Sequence, residues 1–313
     1  MSLLTELPQH WHTGPLLTPP LDPDWIALKD PSIVRHHDRW HLFFTVRGRT
    51  RSHATAWCAC DDLDTLPECR VELLPNHAHY WCAPQIFFYR PHNLWYLICQ
   101  AKHPAWNPGY RAAFCTTTDI NDPTSWTPLT PLDLARPEGK RPAYLDFWVI
   151  ADDEHAYLFF TSDDGHIWRS HTALADFPQR WAPPVLCYEG DIFEANHVYK
   201  LADRPGYLNL VEAQRSDDRR YYKAFYSDRL DGTWEEARPN PNTAYAEPAN
   251  LTQPTPEWTN SVSHAELLRE TSDERLIARA DAPLLFQGVL HTNRQGKSYG
   301  DIPWQLGLLN PTE

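Results

Sequence analysis

Three carboxylates stand near the starts of extended apolar runs: Asp30 in LKDPSIV, Asp146 in LDFWVIA and Glu194 in IFEANHVY. Cleavage of a glycosidic bond needs two carboxyl groups across the scissile bond. One is protonated and acts as acid; the other is ionised and acts as base or nucleophile. A third carboxylate close by raises the pKa of the acid by like-charge repulsion and keeps it protonated. The blander reading is that Asp30, before Pro31, starts a turn or strand, and that Asp146 caps a loop. Glu194 resists it, because a Glu inside an apolar run is costly to bury unless it is paired or functional.

These acids belong to a phrase that recurs five times: an extended apolar run, a polar turn, and a second run opening with an aromatic residue or Leu. The copies are DPSIVRHHDRWHLFFTV from Asp30, APQIFFYRPHNLWYLICQA from Ala83, DFWVIADDEHAYLFFTS from Asp146, FEANHVYKLADRPGYLNLVEA from Phe193 and SHAELLRETSDERLIARA from Ser263. Intervals of roughly 50 to 70 residues suit one four-stranded blade each. A second element follows most phrases: TAWCACDDLDTL, FCTTTDINDPTSW, IWRSHTALADFPQRW and FYSDRLDGTWEEA. It reads as the outermost strand of a blade with its exit loop. Helical periodicity is nearly absent beyond a short turn around Thr172–Phe177, and Pro punctuates the loops.

The predicted fold is all-β, a five-bladed β-propeller forming one catalytic domain over 1–313. The alternative is a β-sandwich with similar hairpins. Residues 1–25 and 280–313 must close the ring, with PLLFQGVL (283–290) supplying part of the closure. A propeller gathers the starts of its innermost strands at one end of a channel, so the three acids would meet there.

Composition narrows the partners. The 313 residues carry a net charge of −13, which argues against nucleic acid or an anionic membrane, since both need clustered Lys and Arg. A neutral polysaccharide is compatible with it. The seven cysteines form no CxxC pair, so a cysteine zinc or redox site is not expected. Cys82, Cys99 and Cys115 read as core residues, and one or two disulfides remain open. The start MSLLTELPQHW has no basic end followed by a long apolar stretch, so no signal peptide is visible. No apolar run reaches membrane-spanning length. On the residues alone His264 reads as a hydrogen-bonded core histidine, and His36, His37, His77 and His79 as turn and loop residues.

Seven strings, in order, resemble the α-L-arabinofuranosidases of glycoside hydrolase family 62. They are WIALKDPSIV (25–34), APQIFFYRPHNLWYLICQ (83–100), LDFWVIADDEHAYLFFTSDDGHIWRS (145–170), IFEANHVYKL (192–201), LVEAQRSDDRRYYKAFYSDRLDGTWEE (210–236), WTNSVSHAEL (258–267) and YGDIPWQLGLL (299–309). The similarity runs from about residue 22 to 309. It implies the same propeller and an inverting mechanism, with Asp30 as general base, Glu194 as general acid and Asp146 orienting that acid and modulating its pKa. It implies that Lys29, Tyr299, Arg220 (or Arg219) and Asn260 bind substrate. It also implies that His264 faces one structural ion in the channel, taken as calcium, whose shell would be mostly water because calcium prefers oxygen. No organic cofactor is implied.

The segment from Trp57 to Ala83 and the loop around Lys102–Tyr110 depart from the family pattern. Trp81 and Trp106 are candidate sugar platforms there, or structural residues. The expected activity is exo-acting removal of single arabinofuranose branches from arabinoxylan or arabinan by a monomeric, extracellular enzyme. One alternative keeps the acids but changes the sugar to another furanoside or a β-xyloside. Another is a non-catalytic sugar-binding propeller.

Overall fold

The computed structural model describes residues 7–14, 17–19, 22–50, 52–75, 80–103, 105–106, 110–135, 143–237 and 244–312. His77 and His79 lie outside them. Five sheets form the blades of the expected propeller, antiparallel except for two short parallel pairs, Leu251–Thr252 beside His10–Thr13 and Ile277–Ala278 beside Glu194–Leu201. The innermost strands are Trp25–His36 (blade I), Tyr80–Tyr89 (II), Tyr144–Ala151 (III), Glu194–Leu201 (IV) and Ser263–Leu267 (V). Each opens with, or contains the start of, one copy of the recurring phrase. The polar turns of the first four copies are the hairpins to the second strands Arg39–Gly48, Leu94–Lys102, His155–Ser162 and Tyr207–Gln214.

Blade V closes the ring. Its second strand, Leu284–Gly288, lies within PLLFQGVL, and the C-terminal Gln305–Thr312 pairs with both Leu284–Gly288 and the N-terminal His10–Thr13. Both chain ends are thereby tied into one sheet.

Two expectations are corrected. The segments read as outermost strands are the third strands: His53–Cys60, Arg111–Thr117, His166–Ala173 and Arg220–Ser227. The outer fourth strands are the short pieces Glu72–Leu73, Thr130–Pro131, Val185–Glu189 and Glu235–Glu236, two to five residues long with no buried position, which leaves no periodic signal. The Trp at the end of the exit loop folds back: Trp126, Trp181 and Trp234 are buried in the core. Thr172 is still strand, and a turn follows in which the Ala173 carbonyl accepts from Asp176 and Phe177. All seven cysteines are free thiols, with Cys82, Cys99 and Cys115 buried as expected.

The apolar cores lie between blades. One joins blades I and II through Phe43, Trp81, Trp95 and Cys115; the largest spans blades II to V through Phe87, Trp148, Phe159, Tyr199 and Phe286. Trp81 is fully buried in the first of these, so it has no face to offer a sugar. Trp106 is half-buried and tilted against His103 at a ring distance of 5.1 Å, and keeps part of its surface available.

The innermost strands share one further device. Each slips register near its start, at a non-glycine residue with positive φ: Asp30 (52°), Ala83 (49°), Asp146 (54°), Ala195 (52°) and His264 (33°). An L-residue there costs on the order of 1 kcal/mol, and such bulges re-aim side chains at barrel rims and active sites. Two rings of inter-blade hydrogen bonds hold the bulges. In the first, the bulge N–H donates to a side chain on the second strand of the preceding blade. Asp30 donates to Gln287 Oε1 (2.7 Å), Ala83 to Thr45 Oγ1 (2.9 Å), Asp146 to Gln100 Oε1 (3.2 Å) and His264 to Glu212 Oε2 (2.7 Å).

The second ring is set two residues on. The Ser32 hydroxyl accepts from the Ile86 N–H, Gln85 bonds both backbone groups of Val149, Trp148 Nε1 donates to the Val198 carbonyl, and His197 Nδ1 meets the Ala265 carbonyl at 2.8 Å. Glu266 completes it through Arg269, which lies 2.8 Å away and donates to the carbonyls of Ile33 and Ile86. The strand starts are thus fixed relative to one another by buried bonds, each costly to leave unmade.

Candidate active site

The bulges bring the three acids to one end of the channel. The match of positions is not perfect. Asp30 and Asp146 occupy the bulge itself, whereas Glu194 is one residue earlier; its counterpart in blade I is Lys29. Pairing shows the offset: Lys29 faces Thr45, and Glu194 faces Glu212.

Blade IV also breaks the first ring. The counterpart of Thr45 and Gln100 in blade III is Thr161, which pairs with Leu145, yet the Ala195 N–H donates to Asp146 Oδ2 at 3.0 Å. The Asp146 carboxylate thus holds the amide directly following Glu194 and fixes the direction of that side chain.

Asp30 is buried, and burial alone would raise its pKa. The Lys29 ammonium, His264 and a hydrogen bond from Thr45 outweigh this and hold the carboxyl below its ordinary value. His264 Nδ1 lies 3.3 Å from Asp30 Oδ1. Burial draws the His264 imidazole below its ordinary pKa, opposed by Asp30 and Glu194. His53, half-buried close by, is pushed down to about 4 by desolvation, with Lys29 adding to the effect, and is neutral at pH 7. Lys29 keeps its charge despite burial because Tyr299, Asp30 and Glu194 surround it. Asp146 is driven well above the carboxylate range by burial, then by Glu194, Asp30 and Glu212. Asp30 is therefore held ionised while Asp146, close to Glu194, is biased to keep a proton; carboxyls in such unlike environments are what acid–base chemistry uses.

Tyr299 closes the pocket from the loop between the last two strands of blade V. Its hydroxyl donates to Glu194 Oε1 at 3.1 Å and lies 3.4 Å from Lys29 Nζ, which sits 4.6 Å from the ring centre. The ring is 47% exposed, so it stands at the mouth. Arg220 is buried against Phe193, 3.5 Å from the ring centre, and donates to Glu212 Oε1 at 3.1 Å. Arg219 instead points outward to Asp217, so Arg220 is the arginine that lines the site beside Tyr299. Asn260 accepts the His291 N–H through Oδ1 at 2.6 Å; it anchors the loop that carries Tyr299.

Several functional positions escaped the sequence reading. Glu212 is fully buried, accepts from Ser263, His264 and Arg220, and is pushed up to about 7 by burial, with Arg220 opposing. Its signal was present: an acid inside the apolar run YLNLVEA, the criterion already applied to Glu194. Gln287 and Gln100 are likewise amides in apolar strands. Nothing in the sequence pointed to Thr45 or His53. His264 is buried as the residues suggested, and its nearest charged partner is Asp30 rather than a cluster of oxygens. Among the described residues no group of three or more His, Cys, Asp or Glu side chains is arranged to hold a metal ion. Nor is any helix long and apolar enough to cross a membrane.

Comparison with known proteins agrees with this geometry. The model of Glycosyl hydrolase family 62 matches residues 10–310. The chain is similar to Alpha-L-arabinofuranosidase C of Cellvibrio japonicus, 34% identical over 311 residues, covering 96% of this chain and 47% of that protein. It thus spans about half the length of that curated relative. Among solved structures it is similar to the catalytic domain of the Coprinopsis cinerea GH62 alpha-L-arabinofuranosidase, with a TM-score of 0.89, 30% identity and coverage of 97% of this chain and 98% of that one. It is also similar to the Podospora anserina alpha-L-arabinofuranosidase in complex with cellotriose, with a TM-score of 0.87, 28% identity and 98% coverage of both chains. A thermostable family-43 glycoside hydrolase, 15% identical with a TM-score of 0.61 over 94% of this chain and 91% of that one, shares the fold.

Proposed function

The chain belongs to glycosyl hydrolase family 62, and we propose that it is an inverting, exo-acting α-L-arabinofuranosidase that removes single arabinofuranose branches from arabinoxylan or arabinan. Asp30 takes a proton from a water molecule as that water attacks the anomeric carbon. The glycosidic C–O bond breaks, and Glu194 gives its proton to the departing oxygen. Both carboxyls exchange protons with solvent afterwards. Inversion needs room for the water between acid and base, roughly 6.5–9.5 Å. Asp146 acts as a positioning residue: it holds the Ala195 amide that directly follows Glu194. Lys29 and Tyr299 contact the furanose, Arg220 lines the next subsite, and Trp106 offers a stacking surface farther out.

The observation that carries this reading is the asymmetry of the acids. Asp30 is held ionised by Lys29 and His264, while Tyr299 and the Asp146-fixed backbone orient Glu194 at the mouth. A bare binding module has no need for such an arrangement. The ion suggested by the family enters only in solvated form: one imidazole, His264, with water for most of the shell, and no step of the chemistry passes through it.

The direct test is Glu194→Gln. We expect arabinose release from arabinoxylan to fall about 10²–10⁴-fold, and to fall far less on an aryl arabinofuranoside whose leaving group needs no protonation. Unchanged release from the polymer would remove Glu194 from the acid role.

A further inference from the structure

Beside the proposed furanose pocket, and sharing Tyr299 and Arg220 with it, lies a cavity of about 500 Å³. It is bounded by Tyr299 and Arg220 on the pocket side and by Gln214, His291, Arg294 and Lys297 on the other. Its charge runs against the rest of the molecule. The chain carries a net −13, yet this cavity collects three cations and a single carboxylate, Asp218.

The partners decide what these cations are for. Arg220 is answered by Glu212, although its Nε is buried with no hydrogen-bond partner. The Asp218 carboxylate is engaged by Gln214 Nε2. Among the described residues Arg294 hydrogen-bonds the Asp218 backbone carbonyl alone, and it lies 5.6 Å from the Trp304 ring centre. Neither Arg294 nor Lys297 forms an ion pair among the described residues. His291 Nδ1, on the same wall, is also buried without a partner. A half-buried guanidinium that faces carboxylates only at a distance gains from a ligand that supplies a direct counter-charge. Burial draws the Arg294 pKa down and the neighbouring Arg220 adds to this, with Asp218 and Glu212 opposing only in part.

We propose that this cavity is a subsite for a carboxylate-bearing sugar, so that the preferred substrate is a branched xylan also carrying uronic acid substituents near the arabinose. This rests on the proposed arabinofuranosidase activity for its meaning, but the binding itself does not. The carboxylate would lie between Arg294 and Lys297, with Gln214 and Tyr299 on the walls to either side.

The test separates the two claims. Binding is measured by calorimetry on the intact protein with a xylo-oligosaccharide bearing one glucuronic acid and no arabinose, and with the same oligosaccharide after reduction of its carboxyl to an alcohol. The acid form is expected to bind about fivefold tighter at low salt, with the advantage lost in about 0.5 M NaCl. Lys297→Gln and Arg294→Gln should each shrink the ratio toward one; Lys297 is exposed, so its replacement does not threaten folding. Equal affinity for the two forms would overturn the proposal, as would a preference for the acid form that survives both substitutions. Arabinose release from arabinoxylan is followed in parallel. Its absence would count against the enzymatic reading while the binding ratio still decides the subsite.

Discussion

Blades II and III use the same backbone for opposite ends. Ala83 and Asp146 occupy equivalent bulges, with φ of 49° and 54°, and each amide is held by a side chain of the preceding blade, Thr45 or Gln100. One bulge presents a methyl group and the other a carboxylate. The strained turn is therefore a property of the propeller, repeated five times whether or not chemistry follows. Function is written by which side chain the turn carries and, in blade IV, by the residue just before it. The same comparison explains why Asp30 and Asp146 stay rigid: their bulge amides are held by Gln287 and Gln100, whereas the blade IV bulge after Glu194 is held by Asp146 itself.

The sharpest way to break the comparison is to make both bulges alike. In Asp146→Gly the strain is relieved but the support of the Ala195 amide and of Glu194 is lost; kcat should drop about 10²-fold or more. In Ala83→Gly the relief of about 1 kcal/mol is nearly offset by loss of a buried methyl worth about 0.8 kcal/mol. Steady-state kinetics and thermal melting should find both activity and stability close to the parent. An equal loss of activity in both variants would show that the bulge, not the carboxylate, matters.

A smaller effect concerns the clamps. Gln287→Leu orphans the Asp30 N–H and removes the donor to Ser263. Denaturant unfolding should show a loss of about 1–3 kcal/mol. A neutral result would mean that water replaces the clamp and that the ring is not what fixes the bulge.

The smallest effect is on the pH profile. Burial pushes Glu212 up to about 7 from an ordinary 4.5. The folded state binds this proton more tightly than the unfolded chain. The stability it contributes is therefore complete below about 4.5 and is lost as pH rises through about 7. Glu212→Gln should flatten that part of the melting temperature against pH. A profile parallel to the parent would show that Arg220 keeps Glu212 ionised throughout.

The sequence made the fold readable because each blade begins with the same hairpin, and period-two apolar runs survive in the strands that line the channel. Outer strands of two residues in three blades and five exposed or half-buried residues in blade III carry no clear period, so the third strand reads as the last. The acids could be found because Asp30 and Asp146 sit at matched places in the phrase. The one-residue offset of Glu194 was invisible, since a bulge changes which residue points inward without changing the run of residue types. Trp81 looked like a platform because a string shows the aromatic ring but not its burial; packing between blades I and II decided it. Glu212 was missed although it satisfies the rule that singled out Glu194. His53 and Thr45 carry no local mark, because their roles exist only through neighbours on other strands.

The central claim is that Asp30 directs water at the anomeric carbon while Glu194, on the other side of the bond, releases the sugar. Anomer-resolved proton NMR in the first minutes of arabinoxylan hydrolysis tests it most directly. The account predicts β-L-arabinofuranose first, with the α-anomer growing only by mutarotation. Initial appearance of the α-anomer would mean a covalent intermediate and would contradict the assignment of Asp30 as base.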